Sequence, residues 1–217
     1  TGKPKDTLLN IQDTKEFTIS IANSAMVGQV SLSSCEYDRS IDEFDITGLT
    51  KQKSDLVKPP YVSESAFVME CKLHDIIYLG NKPASGNLIL GEIVMFHISD
   101  KILDSNNSVD PNLLDAISRL GGSWYSKSKE GLFEFKKPRH NGIGFNAIPK
   151  KILNSKIITA NDLSQLCSVD KKPDLNQKIY QKHIKDSDYD LEIVCKKYIN
   201  DKSIDYAWTI ISILEER

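Results

Sequence analysis

The sequence predicts a mainly β first half followed by a helical tail, and three observations carry that reading. Residues 16–22, "EFTISIA", alternate strictly, with Phe17, Ile19 and Ile21 on one face and Thr18 and Ser20 on the other, as a half-buried strand requires. "SAFVMECKL" and "NLILGEIVMFHIS" are two further strands separated by the turn-rich "GNKPASGN". Beyond about Arg139 the period changes to that of helices: Leu191, Val194, Cys195, Tyr198 and Ile199 recur at i, i+3, i+4, i+7, i+8, and Ile204, Ala207, Trp208 and Ile211 do likewise. Short antiparallel strands with Gly-rich turns indicate a closed barrel or a sandwich, and pattern alone does not separate these. The expected division is therefore 1–138 and 139–217.

Element by element, Asp6 or Thr7 caps a helix running through about Thr14 with Leu8 and Ile11 inward. Ser24 to Ser34 reads as a second short helix. Tyr37 to Pro60 reads as a long, polar, irregular connection carrying "DEFDITGLT" and the rigid "KPP"; loops of this length tend to serve function or to cover something. On the strand ending at Ile98, simple alternation places His97 with Gly91, Ile93 and Met95, and Glu92 on the other face with Leu90 and Val94. After "DPNLLDAISRLGG" come two short strand candidates, "SWYSK" and "LFEFK".

Composition narrows the function classes. A net charge of −2 with both signs interspersed argues against a polyanion-binding surface, so nucleic acid is not expected as a partner. The longest apolar stretch, Leu88 to Ile98, is interrupted by Gly91, Glu92 and His97, so no membrane span is expected. Cys35, Cys71, Cys167 and Cys195 are scattered without a C-x-x-C pair, which favours free thiols in a cytoplasmic protein. His74, His97, His140 and His183 lack ligand spacing, and no metal site is expected.

Three stretches carry candidate chemistry. In "KPKDTLLN" a helix start supplies free N–H groups and the positive dipole end, while Lys3, Lys5 and the Thr7 hydroxyl add what a phosphate needs. The plain alternative is a surface helix capped by Asp6. In "ISRLGGSWY", Gly121 and Gly122 permit close backbone approach, Arg119 binds a carboxylate or phosphate, and Trp124 or Tyr125 lines a flat ligand; the alternative is a turn whose aromatics are core. His97 closes an apolar strand, where a histidine is more often hydrogen-bonded core than a cofactor contact. The carboxylates Asp42, Glu43 and Asp45 read as a solvated loop. There is no G-x-G-x-x-G or Walker-type loop, and no nucleophile accompanies His97.

Taken in order, "KDTLLNIQDTKEFTISI", "DEFDITGLT", "VKPPYVSESAFVMECKL", "GEIVMFHI" and "VDPNLLDAISRLGGSWYS" resemble successive blocks of the flavin reductase-like family, over about Pro4 to Pro138. "GIGFNAIPKKILNSKIITANDLSQL" resembles a C-terminal extension of one long-chain branch. The resemblance implies an FMN-binding split β-barrel, Greek-key-like, with short helices and a C-terminal α-helical extension. It implies FMN bound non-covalently at a homodimer interface, NAD(P)H as co-substrate, hydride transfer to flavin and supply of reduced flavin to a partner monooxygenase. No side chain is then catalytic. By position Lys5, Asp6 and Thr7 inherit the phosphate role, and His97, Arg119, Gly121, Gly122 and Tyr125 lie near flavin or nicotinamide. Family members carry R-P-I/V-like and N-x-A-P-x-S/T-like segments before the K-D-T block; none precedes Thr1, so an N-terminally incomplete barrel is expected. Two alternatives stand beside this: a non-catalytic flavin-binding or interaction protein, and a split-barrel enzyme of pyridoxamine-phosphate oxidase type.

Overall fold

A computed structural model describes residues 5–80, 82, 85–135 and 141–217. Lys3, Pro4, His140 and the expected Pro138/Arg139 boundary fall outside the described residues. The chain divides into two compact units, Thr1–Phe133 and Glu134–Arg217.

In the first unit, helix α1 (Asp6–Thr14) follows Lys5, whose backbone is extended, and ends at Lys15 in the left-handed conformation with its N–H on Ile11 O. Strand β1 (Glu16–Ser20) leaves directly from that turn. A 3₁₀ turn and α2 (Val27–Leu32) follow. The Tyr37–Pro60 segment is less irregular than its sequence predicts: Asp42 accepts the Phe44 N–H and caps α3 (Glu43–Thr47), and β2 (Lys51–Gln52) pairs with β3 (Tyr61–Val62). Strands β4 (Phe67–Tyr78) and β5 (Asn87–Ile98) complete an antiparallel sheet of order β1-β4-β5. Beyond it lie α4 (Pro111–Leu114) and the hairpin β6 (Ile117–Gly121) to β7 (Trp124–Lys127).

The register of the main sheet decides which side chains meet. Glu70 pairs with Met95 but Cys71 pairs with Ile93, leaving Val94 as an extra residue. A bulge of this kind sets two residues against one and shifts the alternation. Met95 and His97 therefore share the face of Val68 and Glu70, whereas Gly91 and Ile93 join Leu73 and Cys71 on the other. This corrects the expectation that His97 sides with Gly91 and Ile93. The face with Phe17, Ile19, Met69, Cys71, Ile93 and Phe96 is apolar, and Ile19, Ile93, Phe96 and Ile98 are exposed on it.

The opposite face is polar, and residues 54–62 lie over it. The Lys58 N–H donates to Glu16 Oε2 (2.9 Å), Thr18 Oγ1 donates to Pro60 O (2.8 Å), and the Val62 N–H donates to Ser20 Oγ (3.2 Å). The polar side of β1 is thus a docking ladder for a loop. This arrangement satisfies backbone groups that a buried loop otherwise leaves unpaired.

The second unit is helical: α5 (Lys150–Leu153), α6 (Ala160–Leu166), α7 (Gln177–His183), α8 (Asp188–Asn200) and α9 (Ile204–Glu215). Thr159 and Asp162 cap α6 reciprocally. Leu191, Cys195 and Ile199 of α8 face Trp208 and Ile211 of α9 within one core, and the Trp208 indole donates to Leu166 O (3.0 Å). Helix α9 is buried nearly all round, including Thr209 and Ile210, so its pattern is wider than a single stripe.

Three expectations change. More of the described residues lie in helices than in strands, so the chain is a mixed helix-and-strand protein and not mainly β. The described strands form three separate sheets and no closed barrel. Within "LFEFK", residues 132–135 form no strand: they leave a 3₁₀ turn (Ser128–Gly131) and pair with nothing in a ladder.

Candidate functional site

Three groups of residues carry the candidate chemistry. The first is built by the start of α1. Lys5, Asp6 and Thr7 line a cleft of about 620 Å³ together with Ser33, Cys35, Tyr37 and Glu43. No side chain caps α1, so its first-turn N–H groups and positive dipole end are not taken by a cap. Four carboxylates (Asp6, Glu36, Asp38, Glu43) also border this cleft. Three of them are engaged locally: Asp6 with Arg39 (2.9 Å), Glu36 with Lys5 (3.7 Å), and Asp38 with the Ser40 hydroxyl (2.6 Å) and N–H. The Ser40 side-chain and backbone hydrogen bonds hold the Asp38 carboxyl below its usual range, against a small opposing effect of desolvation. A small anion in this cleft thus meets uncapped N–H groups, a hydroxyl and the Lys5 ammonium, for which it competes with Glu36.

The second group is the β6–β7 hairpin. Gly121 (φ +104°) and Gly122 (φ +54°) make its turn, a conformation that favours glycine. Arg119 lies over the Tyr125 ring, 5.8 Å from its centroid, and donates to Gly122 O (3.3 Å). Trp124 is 76% exposed, so it is not core. The hairpin is tied down at its base, where the Ile117 N–H bonds Ala22 O (3.1 Å) and Asp115 receives the Ser24 hydroxyl and pairs with Lys129 (3.1 Å). The Ser24 hydrogen bond, followed by that of Lys129, keeps the Asp115 carboxyl below its usual range.

The third group surrounds His97 on the polar face of the main sheet. His97 Nε2 is 2.6 Å from Glu70 Oε1, and its ring stacks on Tyr61 at 4.7 Å. Glu70 is fully buried and accepts the N–H groups of Asp55 (2.7 Å), Leu56 (2.7 Å) and Val57 (3.1 Å). Burial opposes its ionisation. The Asp55 N–H, the His97 side chain and the Leu56 N–H outweigh that effect and hold the carboxyl below its usual range. Asp55, Glu70 and His97 each offer a ligand atom within 4.8 Å of the others. Each Glu70 oxygen already accepts two hydrogen bonds, so Glu70 has no lone pair to spare while these bonds stand.

Among the described residues no hydrogen bond, ion pair or ring contact joins one of these groups to another. Sequence reasoning did not single out Glu70, Tyr61 or Arg39. For Glu70 a signal exists: Val68, Glu70 and Lys72 alternate with Met69 and Cys71, and a carboxylate between two apolar neighbours of a central strand requires internal partners.

Residues 1–118 match the flavin reductase like domain. The chain belongs to the flavin reductase-like family. A protein of Aquifex aeolicus is 32% identical over 124 residues, 57% of this chain and 61% of that one. The component B of nitrilotriacetate monooxygenase from Bacillus cereus superposes with a TM-score of 0.55 at 28% identity, over 63% of this chain and 66% of that one. A split-barrel-domain protein of Shewanella frigidimarina, described as a candidate flavin reductase, gives 0.54 at 26% identity over 60% and 65%. The chain thus spans about three fifths of the Aquifex protein and just under two thirds of these solved chains. Among the described residues no helix is long and apolar enough to cross a membrane.

Proposed function

We propose that this chain binds FMN and serves an NAD(P)H-dependent flavin reductase of the cytoplasm. The observation that carries the proposal is the cleft at the uncapped start of α1, where Lys5 and Thr7 stand within the part of the chain that matches the family. Lys5, the Thr7 hydroxyl and the first-turn N–H groups hold the FMN phosphate, and Asp6 keeps Arg39 beside that end. Arg119, Gly121, Gly122 and Tyr125 approach the flavin or the nicotinamide from the hairpin, and His97 does so from the sheet. When bound, the flavin supplies the hydride chemistry; the protein's part is to bind, orient and exclude water. No side chain is assigned a catalytic role.

The same reading takes the first unit as a split-barrel domain and the second as its helical extension. The exposed apolar face of the β1-β4-β5 sheet supports a homodimer. Likeness to the Bacillus cereus component B supports a monooxygenase as the consumer of reduced flavin.

The test is a pair of titrations with FMN and riboflavin, followed by flavin fluorescence. Lys5→Ala and Thr7→Ala weaken FMN binding at least about tenfold, roughly the 1.5–3 kcal/mol of a charge-assisted hydrogen bond, and leave riboflavin unchanged. Equal weakening of both ligands overturns the phosphate assignment. A second reading, a flavin-binding or interaction protein without reductase activity, is favoured by the lack, among the described residues, of any bond or ring contact that joins the three groups. It predicts FMN binding without NAD(P)H oxidation.

A further inference from the structure

We propose that Glu70 is a positioning residue: it fixes His97 as the Nε2–H tautomer and presents Nδ1 as a hydrogen-bond acceptor for the N–H of a ring ligand. The inference deepens the flavin reading and rests on it only for the identity of the ligand. The tautomer follows from the geometry. Three backbone N–H groups, which can only donate, converge on the Glu70 carboxylate, and both its oxygens act as acceptors. The group 2.6 Å from Oε1 must then also donate, so the proton sits on Nε2 of His97. Neutral imidazole leaves its lone pair on Nδ1, for which the described residues provide no hydrogen-bond partner. His97 retains 23% of its side-chain exposure, and Tyr61 stacks on one ring face, so the ring is held between Glu70 and Tyr61 while part of it stays accessible.

The same carboxylate that orients His97 also gathers the backbone of Asp55, Leu56 and Val57, so loop and imidazole are set together. Carboxylate–imidazole pairing fixes ring orientation in this way wherever a histidine must present one nitrogen. The other ionisable groups on this side are Glu16, Lys72 and Glu92 of the main sheet, Asp55 and Lys58 of the loop and Tyr61 of β3. Of these, the Asp55 carboxylate comes within 4.8 Å of the pair. The chemical class that suits Nδ1 is an N–H donor on a flat heterocycle: the imide of an isoalloxazine or the carboxamide of a nicotinamide.

Nitrogen-15 NMR of the whole chain tests this. With the imidazole neutral, the wild-type ring shows the Nε2–H pattern. Glu70→Gln turns it to a mixture of tautomers, because an amide offers an N–H where the carboxylate offered a lone pair. It also speeds amide exchange of Leu56 and Val57 at least about tenfold. An Nδ1–H tautomer in the wild type overturns the proposal even if Glu70→Gln fails to fold, and so does a Glu70→Gln ring that stays wholly Nε2–H. FMN alone and nicotinamide mononucleotide alone are then titrated while the Nδ1 resonance is followed. A shift of that resonance on adding one of them supports the proposal and names the source; binding without any shift overturns the ligand half. Failure of FMN to bind at all refutes the flavin reading while leaving the tautomer result to stand or fall by itself.

Discussion

Glu70 shows how one residue organises a region far from it in sequence. Its four hydrogen-bond partners include three from residues 13–15 positions earlier, so its loss frees a loop as well as a side chain. We expect Glu70→Gln to cost about 1.5–3 kcal/mol at neutral pH, read by urea unfolding. The folded-state carboxyl is depressed, so its stabilising contribution is full above the ordinary carboxyl value of about 4.3 and fades as pH falls through the folded value. Stability of Glu70→Gln therefore declines less steeply below about pH 4.3 than that of the wild type. An equally steep decline refutes an ionised Glu70. The cysteines make a second residue-scale case. Cys35 is exposed; Cys71, Cys167 and Cys195 are buried, and burial pushes the Cys195 thiol up to about 12. Native protein should react with a thiol-directed alkylating agent at Cys35 alone, the others following only on denaturation. The apolar settings of Cys71 and Cys195 were legible from their neighbours. Glu70's role was not, because its partners lie on a loop whose path no local pattern encodes.

At the scale of elements, periodicity located the strands and left their faces to be decided by the bulge. The strand from Glu16 follows from alternation and the helix does end at Thr14, but the cap expected of Asp6 or Thr7 is not made: both lie inside the helix, Lys5 precedes it, and no side chain caps it. Val94 is apolar like its neighbours, so nothing in composition marks it as the extra residue that moves His97 to the side of Glu70. Gly91 is the counterpart on the other face. A Cβ there would meet the Phe17 ring at 2.4 Å and Cys71 Cβ at 3.4 Å, so the ring sits where a side chain would be. Gly91→Ala should cost about 1–3 kcal/mol by overpacking. Combining it with Phe17→Leu, which shortens the intruding ring, should recover part of that cost. Thermal unfolding of the two single variants and the double decides it, and strict additivity would refute the proposed clash.

Over the whole molecule, the two units differ in how their apolar residues are used. The sheet leaves Ile93, Phe96 and Ile98 exposed, whereas the helical unit closes its own core around Trp208, Leu166, Leu191 and Ile199, each at most 1% exposed. A segment that buries its apolar residues against one another has what independent folding needs. That core was legible from the spacing along α8 and α9; the greater burial of α9 was not, since Thr209 reads as a surface position until its hydroxyl is seen bonding Asp205 O and the Asn176 N–H. We expect residues 134–217 expressed alone to give a helical circular dichroism spectrum and one cooperative thermal transition. Trp208→Ala in that fragment removes the largest core side chain and the bond to Leu166 O, at a cost of about 3–5 kcal/mol. A unit of this size holds only about 4–13 kcal/mol in total, so the variant should lose much or all of its transition. A fragment that is helical but melts without cooperativity, or a Trp208→Ala variant as stable as its parent, would mean that the helices do not form a domain in their own right.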